Sequence, residues 1–156
     1  MKKMNNKGFS LVELIVVVLI MAIIAVALAP QVMKWVENSR KSNDIENYNA
    51  LVEAANVAGT NEDVLKELSS AITITFTPSG TTVPTSQKLL DAMKKTLPEL
   101  DGATLGAACD KIKVTGDWSA TYGNYNNGNF EIKVEKTADG IKVTKPAGKF
   151  PDKNFS

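Results

Sequence analysis

Polar and apolar positions divide this chain into unlike parts. Residues 14–29 carry no polar side chain, whereas Lys, Asp, Asn, Thr and Ser dominate beyond residue 37. After the polar stretch 37–44, apolar residues return at Ile45, Tyr48, Leu51, Val52 and Ala55, the spacing of one helix face. Gly59 with Thr60 and Asn61 reads as a stop, so one helix is expected from Phe9 to Ala58. At ~1.5 Å per residue it would measure about 75 Å, far more than the core of a small globule requires.

Asn61 can cap a short helix holding Val64, Leu65 and Leu68. Ile72, Ile74 and Phe76 alternate with Thr73, Thr75 and Thr77, a strand signature ended by Pro78-Ser79-Gly80. Thr85 or Ser86 can cap a helix through Leu89, Leu90, Met93 and Leu97, closed by Pro98. Beyond Gly102 the pattern predicts strands at Ile112 and Val114, at Trp118, Ala120 and Tyr122, at Phe130, Ile132 and Val134, and at Ile141 and Val143. Gly116-Asp117, Asn127-Gly128 and Asp139-Gly140 are the turn signals between them. The expected fold is α+β: a long N-terminal helix, apolar in its first half and amphipathic in its second, packed against a C-terminal antiparallel sheet.

At 156 residues, one compact domain with an appendage is the natural organisation. The chain has no histidine, which removes Ser-His and Cys-His catalysis and His-ligated metals. A single cysteine, Cys109, forms no internal disulfide and no Cys-rich zinc site, and without a partner it reads as a small core residue. Asp101, Asp110 and Asp117 lack calcium-loop spacing, so no metal or other cofactor is expected. A net charge of +1 gives no reason to expect a nucleic-acid partner.

The N-terminus holds the candidate chemistry. Residues 1–8 carry Lys2, Lys3 and Lys7 and no acid, and a basic stretch before an apolar run stays on the cytoplasmic side. Residues 14–29 alone would span about 24 Å, short of a ~30 Å hydrocarbon core. Adding residues 9–13 and continuing through Val32 and Met33 makes the segment long enough. A cleaved signal peptide is one reading, since Ala27-Leu28-Ala29 looks like a cleavage site, but Pro30 would then follow the cut and Glu13 would interrupt the apolar region. A plain one-span anchor is another; it leaves Glu13 unexplained, at a cost of about 2.5–3.5 kcal/mol if carried charged to mid-bilayer, which its place near the segment's end would soften.

The run Lys7-Gly8-Phe9-Ser10-Leu11-Val12-Glu13-Leu14-Ile15 resembles the class III leader of type IV pilins and of the pseudopilins of type II secretion. The resemblance is close over roughly residues 7–36 and architectural beyond them. It implies a pilin-like fold in which residues 1–8 are a leader, 9–36 a transmembrane and filament-core helix, and 37–156 an amphipathic helix with a globular head. A membrane peptidase would cut between Gly8 and Phe9 and methylate Phe9. Removing three of eighteen basic residues leaves fifteen against seventeen acidic ones, a side-chain sum of −2. Gly8 has no side chain to obstruct the protease. Glu13 matches the family's acidic residue and would pair with the Phe9 ammonium of a neighbouring subunit. Such a pair adds little net affinity after desolvation, but a misaligned subunit would bury two unpaired charges, so it sets registry. Pro30 matches the family's helix-bending proline and would introduce a bend or a short unwound section.

The function implied is that of a structural subunit, not an enzyme, in an extracellular filament serving adhesion or motility. Its implied partners are copies of itself, the prepilin peptidase, an inner-membrane platform and its ATPases, with the membrane as its place before assembly. A pseudopilin of a secretion or DNA-uptake system shares the same N-terminus, and a single-span anchored binding domain is the alternative of another class. Many Gram-negative pilins close a C-terminal loop with a disulfide; the lone Cys109 departs from that pattern, which weakens any transfer of their receptor-binding loop to this chain. Lys133, Lys136, Lys142 and Lys145, interleaved with Glu131, Glu135 and Asp139, read as a solvated face with cross-strand pairs. The polar and aromatic stretch 122–129 reads as a surface loop, and Asn154-Phe155-Ser156 as a weak glycosylation sequon.

Overall fold

The computed structural model describes residues 8–118 and 129–145. The chain divides into two compact units, Met1–Val36 and Glu37–Ser156, and helix α1 (Leu11–Ala58) contributes to both. The second unit continues with α2 (Glu62–Glu67), β1 (Ile72–Thr77), β2 (Gly80–Thr82), α3 (Gln87–Thr96), a 3₁₀ turn (Pro98–Leu100), β3 (Phe130–Thr137) and β4 (Gly140–Thr144).

Helix α1 ends where the glycine falls: the Gly59 amide closes the last turn on the Ala55 carbonyl at 3.0 Å. Asn61 caps α2 as its position suggests, Oδ1 accepting from the Asp63 amide at 2.9 Å. Of the two candidate caps for α3, Ser86 is the one used, its Oγ accepting from the Leu89 amide at 3.1 Å. The sheet is antiparallel throughout, in the order β2-β1-β3-β4. Ile74 pairs with Ile132, Phe76 with Phe130 and Val134 with Val143, which puts the apolar alternates of neighbouring strands on one face.

That face covers the second half of α1. Ile45, Tyr48, Leu51, Ala54, Ala55 and Ala58 are buried, at the i, i+3 and i+4 steps of one helix stripe. At the centre the Phe130 ring stacks on Phe76 at 6.0 Å and meets Tyr48 and Trp118 edge-on at 5.9 and 5.3 Å. The Tyr48 hydroxyl donates to the Glu131 carbonyl at 2.7 Å, so its polar end is satisfied inside the core.

Two expectations are corrected. Ile112 and Val114 are buried but form no strand, and Trp118 is core without being in a strand. Residues 101–118 run as irregular chain, laced to the outer edge of β2: Cys109 and Thr81 exchange backbone hydrogen bonds at 2.9 and 3.3 Å, and the Thr81 hydroxyl donates to the Ile112 carbonyl at 2.9 Å. Gly80 permits this approach. Its φ is +124°, and a Cβ there would lie 2.3 Å from the Cys109 oxygen. The remainder of the expected 118–122 strand, the Asn127-Gly128 turn and most of the 122–129 loop lie outside the described residues, as does the Asn154 sequon.

Cys109 is buried, with its thiol donating to the Glu99 carbonyl at 3.3 Å. The lysines of β3 and β4 sit among acids as expected. Glu135 faces Lys142 across the strands and ion-pairs with Lys133 along its own strand, while Lys145 lies 5.7 Å over the Tyr48 ring.

The polar stretch 37–44 is not wholly solvated. Asp44 is fully buried and Lys41 nearly so. Among the described residues, the Asp44 carboxylate accepts four hydrogen bonds. Oδ1 takes the Thr115 amide at 2.8 Å and its hydroxyl at 2.9 Å; Oδ2 takes the Gly116 amide at 2.7 Å and Trp118 Nε1 at 2.9 Å. Gly116 is tight against this group, since a Cβ there would meet Lys41 Cγ at 2.8 Å. The Lys41 ammonium lies 5.5 Å over the Trp118 ring, and Glu37 accepts the Asp117 amide. A buried charge is tolerated only when its lone pairs are filled, and here they are.

Candidate processing and assembly site

The candidate residues lie in the first unit. Gly8, Phe9 and Ser10 precede the helix in non-helical chain. All three are exposed; among the described residues a Cβ on Gly8 would touch nothing within 4 Å, and Phe9 is 90% exposed. None of the described residues crowds the Gly8–Phe9 bond.

Ser10 is where α1 begins, its carbonyl accepting the Leu14 amide at 3.2 Å. Glu13 stands in the first turn, and its Oε2 accepts the Ser10 amide at 2.9 Å. The first amides of a helix have no intrahelical acceptor, and a glutamate three residues after the cap supplies one, as in a capping box. Its negative charge also suits the positive end of the helix dipole. The sequence reading missed this second task of Glu13. The Ser10-Leu11-Val12-Glu13 spacing, immediately ahead of an apolar run, was the signal for it.

From Gly8 to Val36 every residue is exposed. An 18-residue window within α1 has a mean hydropathy of 3.2 and none of it is buried. Fully burying one Val, Leu or Ile is worth about 1.5–3 kcal/mol, so covering this run is worth on the order of tens of kcal/mol. A face of this kind fits a bilayer or packing against other helices. Pro30 lies inside α1, which passes through it without an unwound section. Lacking an amide, Pro30 leaves the Val26 carbonyl without its usual backbone donor.

Among the described residues no group of His, Cys, Asp or Glu could hold a metal ion, and Glu13 is the sole ionisable residue between Gly8 and Met33. What the arrangement offers is an exposed peptide junction, one acid at a helix start and a long apolar surface.

A family model for the prokaryotic N-terminal methylation motif matches residues 3–29. The match spans the Gly8–Phe9 junction, Glu13 and most of the apolar run, and is consistent with a type IV pilin-like protein. No curated protein and no solved structure matches the chain. The motif supports a protein of the type IV pilin and pseudopilin type, processed by a prepilin peptidase. The long N-terminal helix and four-stranded antiparallel sheet give it the pilin-like α+β arrangement.

Proposed function

We propose that this chain is a structural subunit of an extracellular type IV pilus-like filament. The observation that carries the reading is the coincidence of the methylation motif at residues 3–29 with an apolar helical surface exposed throughout residues 11–36. On this reading residues 1–8 are a leader, 9–36 the membrane and filament-core helix, and 37–156 the amphipathic helix with its head. The precursor waits in the cell membrane with the head outside. The prepilin peptidase cuts between Gly8 and Phe9, Phe9 is methylated, and an inner-membrane platform with its ATPases draws the subunit into the fibre.

In the fibre the apolar run exchanges lipid for neighbouring helices. Glu13 pairs with the Phe9 ammonium of a neighbour and sets the stagger, and Pro30 is the point at which packing can bend the helix. Adhesion or motility is the service of such a filament. Shearing the cells and measuring the intact mass and N-terminus of the released protein tests this. A species beginning at methylated Phe9 is expected; one retaining Met1 or beginning at Pro30 would overturn the reading.

A further inference from the structure

Two ionisable residues bracket the apolar run, Glu13 and Lys34, and Trp35 follows directly. The twenty residues 14–33 between them carry no charge, and Gln31 is their one strongly polar side chain. As helix they measure about 30 Å, the thickness of a bilayer's hydrocarbon core. A charge drawn to the helix centre costs about 2.5–3.5 kcal/mol. One register therefore avoids both costs, and sliding by a single turn of ~5.4 Å drags one charge into hydrocarbon.

The geometry of Glu13 favours this register. By accepting the Ser10 amide at 2.9 Å, the carboxylate lies level with Ser10, turned toward the N-terminus and away from the apolar run. At the other end Lys34 and Trp35 are both exposed, free to reach the headgroups, and tryptophan favours the membrane–water boundary. Lys2, Lys3 and Lys7 keep the Glu13 end on the cytoplasmic side.

We propose that, before assembly, the bilayer holds this helix in a fixed register, with the Glu13 carboxylate in the inner headgroup layer and Lys34 with Trp35 in the outer one. The inference rests on the membrane stage of the reading above and adds the depth of each residue. Glu13 then stays hydrated while the subunit waits. The desolvation that makes a wrong stagger costly arises only on entry into the fibre.

The test reconstitutes the full chain into phosphatidylcholine vesicles with about one-third phosphatidylglycerol, brominated either near the carbonyl or near the chain end. Trp118 is buried in the head, and a W35F chain supplies its background emission for subtraction. Trp35 should be quenched about twofold more by the shallow bromines than by the deep ones. In K34L the helix should sink and that preference should fall away. A chain that floats with the vesicles yet shows stronger deep quenching, or no quenching, overturns the register and leaves the membrane reading standing. An unchanged preference in K34L overturns the role of Lys34. A chain that does not float at all overturns the membrane reading itself.

Discussion

Asp44→Asn removes one oxygen from the best-satisfied buried charge in the head. The amide keeps one acceptor, which can serve Thr115 or the Gly116–Trp118 pair but not both. Hydrogen bonds to a charged group are each worth about 1.5–3 kcal/mol, so losing two sets an upper range of roughly 3–6 kcal/mol. Thr115 is exposed and Gly116 partly so, and water can replace some of what they lose, whereas Trp118 Nε1 is buried with its ring. We therefore expect a loss of about 3 kcal/mol, near the lower end for a broken buried charge network. For a head of this size that lowers the melting temperature by on the order of 10 °C. Urea unfolding of the full chain in detergent, followed by Trp118 near-ultraviolet circular dichroism, reads this directly. An Asp44→Asn chain within 1 kcal/mol of wild type would refute the claim that the carboxylate holds residues 115–118 to α1.

Gly8→Leu should leave an unprocessed membrane-bound precursor, visible as an unshortened intact mass; a normally shortened product would refute the assigned junction. Glu13→Ala should be processed normally but reach sheared fibres poorly, and wild-type fibre yield would sink the registry argument. Gly80→Ala places a methyl 2.3 Å from the Cys109 oxygen at a φ of +124° and should destabilise the head by about 2–4 kcal/mol. A urea midpoint unchanged in that variant would show that residues 101–118 can leave the edge of β2 at little cost.

The parts of the fold legible in the sequence were those set by local periodicity. The stripe from Ile45 to Ala55, the Asn61 cap, the 72–77 alternation and the 130–134 and 141–143 strands all formed where the pattern put them. Residues 112–118 misled because alternating burial does not require strand pairing. Ile112 and Val114 point inward from a segment whose backbone partners are Thr77 and Thr81 and whose anchor is a carboxylate. Asp44 offered no signal of its partners, which lie 71–74 residues away in sequence. The N-terminal methylation motif was legible because its residues lie contiguously, although the cap made by Glu13 passed unnoticed behind the acid's more conspicuous position.

The Tyr48 hydroxyl and its acceptor at Glu131 stand 83 residues apart. At synthesis rates of about 5–20 residues per second, roughly 4–17 s separate the appearance of the helix stripe from that of β3, which completes its cover. Phe76 of β1 reaches the Tyr48 ring first, and over that interval the ridge of α1 still lacks the cover that Phe130 brings. The head of this protein therefore closes late, with the arrival of its third strand.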